Sequence, residues 1–375
     1  MTNFDLFVFA GETSGDKLGA RLLHEIKKRR PNLKIAAVAG KEMRVENPFL
    51  VMPTEEFEVM GFFQVFLAIF SLMKKFFFLK KWILKNNPKV VVFIDYPGFN
   101  LRLEKALRKK GYKNKIIHYV CPTVWAWGKK RIDLMEKTLD MLLVLFPFEK
   151  ACFSNQCLKV KYVGHPLAFA TPSKEEQKEK FAIGLFPGSR TKEIENNLPF
   201  HLDTAKRLLE EGIDIEIYLS IAHEKFIPLI NKVLSKFPTL KNIHLWRDQP
   251  YQMMQKIDIA LATSGTINLE LALHLIPTIV TFYINHVETF IGKNILRIIL
   301  PFYCIVNICE KKEIFPELYG PNLTKEKLYF LTKKLIEDEK LRQTCKEKCM
   351  SLKKTLYKSN PAALAADSVL SFLPF

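Results

Sequence analysis

Short apolar runs rich in β-branched and aromatic residues alternate along this chain with longer stretches of helical period. Residues 4–10, 34–39, 90–95, 116–120 and 141–146 read as one series of strands, and residues 182–186, 213–219, 257–262 and 278–282 as a second. The run Val90-Val91-Val92-Phe93-Ile94 has no polar alternation, which suits a parallel strand covered on both faces. Strand–helix alternation repeated twice predicts an α/β chain built from two doubly wound halves. The polar stretch 171–180 (TPSKEEQKEK) is the natural break between them, and residues 324–373 read as helices throughout.

Composition narrows this picture. The chain has 375 residues, 48% hydrophobic and 26% charged, enough for two or three globular domains. With 15 Gly and 20 Pro it is neither collagen-like nor of low complexity. The 57 Lys and Arg outnumber the 39 Asp and Glu, a formal net charge of +18, which calls for an anionic partner: a phosphorylated metabolite, nucleic acid or an acidic membrane surface. Seven cysteines, odd in number and without a CxxC, do not make a disulfide scaffold; Cys345 and Cys349 share a helix face as packed thiols, in keeping with a cytoplasmic compartment. The first residues read as a strand without a basic lead-in, so no signal peptide is expected. The longest apolar stretch, 62–73, is broken by Gln64 and Ser71 and stops at Lys74-Lys75, short of the ~20 residues of a membrane span.

The unusual residues cluster after strands, where open α/β sheets bind ligands. The first strand runs into Gly11-Glu12-Thr13-Ser14-Gly15-Asp16, which is neither GxGxxG nor GxxxxGK[ST]. It reads equally as a turn capped by Thr13 or Ser14 and as a place where Glu12 and Asp16 hold sugar hydroxyls. Asp95 ends the most apolar strand; it is placed either to act as a general base, with burial raising its pKa, or to cap the next helix. Residues 116–127 (IIHYVCPTVWAW) set two tryptophans and a histidine beside Lys129, Lys130 and Arg131, suiting an acceptor with an apolar part and a phosphate, against the ordinary fate of Trp in a core.

In the second half, Pro187-Gly188-Ser189-Arg190 gives a backbone that approaches a phosphate and a guanidinium fork for its oxygens. Thr263-Ser264-Gly265-Thr266 ends another strand and opens a helix, whose N–H groups suit a diphosphate, and Glu270 follows one turn later, able to accept from ribose hydroxyls. Each element is weak alone; together they suggest a nucleotide-sugar site. Residues 60–79 (MGFFQVFLAIFSLMKKFFFL) are apolar around nearly the whole circumference. A buried helix is one reading; the pairs Lys74-Lys75 and Lys80-Lys81 favour contact with an anionic membrane surface or acyl chains. The histidines lack metal-ligand spacing with a carboxylate, so no metal site is expected.

The chain resembles the lipid-A-disaccharide synthase family, glycosyltransferases of the two-Rossmann-domain (GT-B) type. The resemblance rests on GETSGD at 11–16, Met60-Gly61, IDYPGFN at 94–100, IHYVCPTVWAW at 117–127 with Arg131, FPFE at 146–149, VGHPL at 163–167, PGSRTKEI at 187–194 and SGTINLELAL at 264–273, in order across almost the whole chain. Departures from the family pattern fall at Cys121, Thr123, Phe169, Val306 and Gly320. The resemblance implies an acceptor domain over 1–170, a UDP-sugar donor domain over 171–345, helices over 346–375 packing back on the first, and an active site in the cleft between domains. It implies condensation of UDP-2,3-diacylglucosamine with 2,3-diacylglucosamine 1-phosphate to an inverted β-1,6 disaccharide and UDP, with no cofactor and no metal. Asp95 would be the base; Gly188, Ser189, Arg190, Ser264, Gly265, Thr266, Glu270 and Asn307 would hold UDP; Gly11, Glu12, Thr13, Ser14, Gly15, Asp16, Met60, Trp125 and Arg131 would hold the acceptor. The expected location is cytoplasmic, peripheral to the inner membrane.

Three other readings compete with this one. Another GT-B enzyme on a UDP-sugar, a peptidoglycan transferase or a 2-epimerase, would share the loops but not the product. A nucleic-acid binder would explain the charge, but no RRM, KH or zinc-finger signature occurs and the lysines are spread through helices, so no nucleic-acid partner is expected. A non-catalytic membrane-surface protein leaves Asp95 and the PGSR and SGT loops without a role.

Overall fold

The computed structural model describes residues 4–57, 65–125, 128, 130–153, 158–170, 180–247, 250–284 and 301–374, with side chains of the first long apolar helix from Phe70 onward. The chain divides into two compact units: Met1–Phe169 with Tyr357–Phe375, and Ala170–Leu356.

The first unit is a seven-stranded, all-parallel sheet. Its strands are β1 (Leu6–Ala10), β2 (Ile35–Ala39), β3 (Phe49–Pro53), β4 (Val90–Ile94), β5 (Lys115–Tyr119), β6 (Met141–Val144) and β7 (Lys159–Tyr162), in the order β3-β2-β1-β4-β5-β6-β7. The second is a six-stranded parallel sheet of β8 (Phe181–Phe186), β9 (Ile215–Ser220), β10 (Ile243–Trp246), β11 (Ile259–Thr263), β12 (Thr278–Phe282) and β13 (Glu317–Tyr319), in the order β10-β9-β8-β11-β12-β13. Both are Rossmann-like, with helices between successive strands. The direction of winding reverses between β1 and β4 in one sheet and between β8 and β11 in the other. At such a reversal the two flanking loops part and leave a crevice at the carboxyl ends of the strands.

The interior strands were legible in sequence because they are buried on both faces. The edge strands β3, β7, β10 and β13 were not predicted. They are short and mostly half-buried or exposed; β7 (Lys-Val-Lys-Tyr), β10 and β13 mix polar with apolar residues, and β3, though apolar, has its first two residues exposed.

The return to the first unit comes at Tyr357, later than the expected 346, because the helix Glu339–Leu356 is continuous and belongs whole to the second unit. The last helix, Pro361–Leu370, lies along Thr13–Arg29. Its Ala365, Ala366 and Val369 join Leu22, Leu23 and Ile26 in one core cluster. Asn360 caps it, accepting from Ala362 and Ala363 N–H, a bond set worth about 1 kcal/mol, and donates to Glu25 Oε1 at 2.8 Å. Arg29 Nε meets Asp367 Oδ1 at 2.8 Å.

The apolar helix Val65–Asn86 is two-faced. Leu79 and Ile83 are fully buried, with Leu72, Phe76 and Trp82 packed around them; burial of each of the two contributes about 1.5–3 kcal/mol. Phe70, Met73, Phe77 and Phe78 point outward and are 58%, 49%, 53% and 47% exposed. No helix among the described residues is long and apolar enough to cross a membrane.

Candidate active site

In the first unit the crevice lies at the ends of β1 and β4. Asp95 and Tyr96 both adopt left-handed backbone, φ 50° and 49°, and so turn the chain sharply between β4 and the helix Pro97–Lys109. Two consecutive non-glycine residues in that region are strained, and strain of this kind collects at functional sites. The turn is pinned from both sides: Asp95 N donates to Tyr119 O at 2.9 Å, and Asn100 Nδ2 donates to Asp95 O at 2.6 Å. Asp95 is half-buried. Burial raises its pKa above the usual carboxylate range, while the charge of His118 and the Tyr96 N–H oppose the shift. Glu12, across the crevice on the turn after β1, is raised by partial desolvation and then by the charge of Asp95. Gly11 permits this approach, since a Cβ there would stand 2.8 Å from Tyr96 Cδ1. A carboxylate held less acidic than usual, beside a second one, is a stronger proton acceptor than an ordinary surface carboxylate.

Beneath Asp95 lies a polar pair that the sequence did not disclose. His118 Nδ1 is 2.6 Å from Glu104 Oε1, and both side chains are fully buried. His118 belongs to strand β5 and not to the tryptophan loop that follows. Glu104 Oε2, His118 Nε2 and Asn100 Oδ1 are buried with no hydrogen-bond partner among the described residues. Each such atom costs about 1–3 kcal/mol.

The other acceptor-side expectations divide. Thr13 and Ser14 stand exposed in the first turn of Thr13–Arg29, and the N-cap is Glu12, without a side-chain cap bond; the expected Thr or Ser cap is corrected accordingly. Gly15 is buried against Ala10 and Ile94. Asp16 is corrected too: its carboxylate is buried and accepts from the N–H groups of Gly40, Met43 and Glu42 at 2.7, 3.2 and 2.9 Å, capping the helix Lys41–Arg44, so both oxygens are used within the fold. Trp125 is half-buried and meets Phe148 edge-on at 5.7 Å. Arg131 enters the helix Lys130–Thr138, its N–H donating to Gly128 O. Met60 lies outside the described residues.

In the second unit the crevice at the ends of β8 and β11 is a pocket of about 420 Å³. Gly188, Ser189, Arg190, Ser264, Gly265, Thr266 and Glu270 all line it, together with Glu193, Ser220 and Ala222, which the sequence reading did not assign. Gly188 has φ 115°, and a Cβ there would fall 2.6 Å from Glu193 Cβ, so the turn requires glycine. Glu193 was inside the quoted PGSRTKEI motif; its packing against that turn is the signal that assigns it. Ser264 N donates to Thr281 O at 3.1 Å, fixing the second loop to the neighbouring strand. Glycine, hydroxyl and guanidinium groups converging on one pocket suit an anion of diphosphate size.

Asn307 does not join this pocket. Its Oδ1 accepts from Ile314 and Phe315 N–H, and its Nδ2 donates to Phe315 O and to Glu317 Oε1, both at 2.7 Å. Fully buried and fully bonded, it folds the loop before β13 and has no group left for a ligand; its donor role is corrected.

A family model described as lipid-A-disaccharide synthetase matches residues 6–370. The lipid-A-disaccharide synthase of Chlamydia felis (strain Fe/C-56) is 43% identical over 329 residues, covering 85% of this chain and 52% of its own length. The chain therefore spans about half the length of the chlamydial relatives it matches. That of Coxiella burnetii (strain RSA 331 / Henzerling II) is 32% identical over 379 residues and is covered over 98% of both chains. Among solved structures, the lipopolysaccharide outer core galactosyltransferase WaaB in its apo form aligns with a TM-score of 0.57 at 13% identity, over 98% of this chain and 99% of that one, a likeness of fold of the GT-B type. With a family match over residues 6–370 and a relative 32% identical that is covered over 98% of both chains, the chain belongs to the lipid-A-disaccharide synthetase family.

Proposed function

We propose that the chain is an inverting glycosyltransferase that condenses UDP-2,3-diacylglucosamine with 2,3-diacylglucosamine 1-phosphate, giving the β-1,6-linked disaccharide 1-phosphate and UDP. The observation that carries this reading is Asp95, a carboxylate of raised pKa at the winding reversal of the first sheet, in a chain of this family. The acceptor 6-hydroxyl oxygen attacks the anomeric carbon of the donor. Its proton goes to the Asp95 carboxylate, and the bond from that carbon to the β-phosphate oxygen breaks with its electron pair on UDP. Attack opposite the leaving group inverts the anomeric centre. Arg190 and the N–H groups of the 264–266 turn balance the charge that develops on the diphosphate, and Glu270 accepts from the ribose. Gly11, Glu12, Thr13, Ser14, Gly15, Met60, Trp125 and Arg131 serve the acceptor.

The acylated substrates reside in a bilayer, and the outward face of Val65–Asn86 provides the means to meet it. Phe70, Met73, Phe77 and Phe78 supply apolar contact, and the exposed Lys74 and Lys81 supply attraction to anionic lipid. In this reading the chain works at the cytoplasmic face of the inner membrane.

The test is incubation with both diacylated substrates, with and without EDTA, followed by mass analysis. The disaccharide 1-phosphate with stoichiometric UDP, unaffected by EDTA, supports the reading. UDP-sugar isomerised at C2, or consumed without a disaccharide, overturns it in favour of another chemistry on this fold.

A further inference from the structure

We propose that Tyr96 is an acceptor-binding residue: its ring carries the apolar face of the acceptor sugar across the crevice of the first unit, and its hydroxyl donates to one of that sugar's oxygens. The proposal rests on the function proposed above and deepens it with a residue to which neither spacing nor resemblance gave a role.

The backbone aims the side chain. Pro97 disfavours the right-handed helical region for the residue before it, and Tyr96 takes left-handed φ 49° and ψ 50° instead. Glycine or asparagine would meet that turn with less strain. The ring leans from the turn after β4 onto the turn after β1: a Cβ on Gly11 would stand 2.8 Å from Tyr96 Cδ1 and 3.1 Å from Cγ. Glycine at 11 is thus what lets the ring bridge the two turns that flank the crevice.

Packing closes only part of the ring. The ring centroids of Phe9, Phe57 and Phe99 lie 6.4, 6.3 and 6.1 Å from that of Tyr96. Those three side chains are buried, whereas Tyr96 is half-buried. Tyr96 is therefore where this aromatic cluster surfaces, and of the four rings it alone carries a polar atom. A ring that only packed would be served by phenylalanine, as its neighbours are.

Its hydroxyl has no hydrogen-bond partner among the described residues. Burial, and then the charge of Glu12, raise its pKa above the ordinary tyrosine value, so it stays a neutral donor at working pH. A pyranose has the matching shape, with a C–H face for the ring and a rim of oxygens for the donor. Glu12 accepts and Tyr96 donates, so the two turns offer a sugar both kinds of partner. An acyl chain would use the ring and leave the hydroxyl idle.

Tyr96→Phe keeps the ring and removes only the donor. In the disaccharide assay the KM for 2,3-diacylglucosamine 1-phosphate should rise about three- to tenfold, with kcat, the KM for the UDP-sugar and the melting temperature unchanged. An unchanged acceptor KM in this variant overturns the proposal. A fall in kcat at unchanged KM overturns it too, because that loss belongs to the chemical step and not to binding. A second measurement is independent of activity. The full chain, deuterated except at tyrosine, is mixed with 2,3-diacylglucosamine 1-phosphate in detergent micelles. The Tyr96 ring protons, identified by their loss in Tyr96→Phe, should show nuclear Overhauser contacts to the pyranose protons. Contacts to acyl methylenes alone, or none, overturn the proposal. If the wild type forms no disaccharide, the proposed function fails, while the ring contacts with the aminosugar still decide this one.

Discussion

Arg190 rests on Glu193: Nη1 stands 2.7 Å from Oε1, while the other carboxylate oxygen takes the Ser189 N–H at 3.0 Å. One acid thus holds both the turn and the cation of the proposed donor pocket. The Arg190 side chain is still 82% exposed, so the pair is a weak surface contact that a diphosphate can displace. Arg190→Ala should weaken UDP binding by about 1.5–3 kcal/mol, the range for a charge-assisted bond. Glu193→Gln keeps an acceptor for Ser189 and removes a negative charge beside the diphosphate, so UDP should bind more tightly. Calorimetric titration with UDP reads both. Unchanged affinity in Arg190→Ala and Glu270→Ala together would move the donor site elsewhere.

Asp95→Asn should lower turnover by ~100- to 10,000-fold with UDP affinity unchanged. The same change should raise the melting temperature at neutral pH. Burial raises the Asp95 pKa in the folded state, so ionisation costs stability once pH exceeds the unfolded value. Below that value both states are protonated and the difference vanishes. The gain in melting temperature should therefore shrink on acidification. A variant that keeps more than about a third of wild-type turnover would pass the base role to Glu12, since Asp16 is committed to the helix Lys41–Arg44.

The sequence disclosed what local chemistry dictates. Gly188, Arg190 and the Ser264–Thr266 turn were legible because a backbone that must approach an anion needs glycine, small hydroxyls and a cation within a few residues. Asp16 was misread because its partner Gly40 lies 24 residues away, after the next strand. Asn307 was carried by resemblance alone, and only the folded loop reveals that its amide is saturated. Glu104 and His118 meet across a helix–sheet interface, and no spacing announces them.

His201 offers a test of the second unit. Its ring is fully buried, with Nε2 2.8 Å from Thr281 Oγ1, and burial pushes its pKa down to about 3. Between about pH 6.5 and 3 the unfolded chain binds this proton and the folded chain does not, so stability falls as pH falls. From pH 6.5 to 5 this one group should remove about 2 kcal/mol. Urea unfolding of His201→Gln should show that much less acid sensitivity than wild type. Identical pH dependence in the two would mean that the ring takes up a proton in the folded state.

The outward face of Val65–Asn86 should bind anionic vesicles, and its two contributions can be separated. Not all four nearby lysines are available. Lys75 is turned inward, donating to Glu56 O and lying 5.4 Å from the Phe57 ring, and Lys80 covers Phe77 at 4.7 Å. Lys74 and Lys81 are exposed and should each add up to ~1 kcal/mol near the lipid. Salt screens that term and leaves apolar insertion intact. In sedimentation assays the wild type should prefer phosphatidylglycerol vesicles to neutral ones and release partly at high salt. Lys74→Gln with Lys81→Gln should flatten the salt dependence. Phe70→Ser, Phe77→Ser and Phe78→Ser together should weaken binding at every salt concentration. These three side chains are about half exposed, so the variant should melt somewhat lower yet stay folded at the assay temperature, and a loss of binding by the folded variant is a loss of surface. Normal vesicle binding by that folded triple variant would place the docking surface elsewhere on the chain.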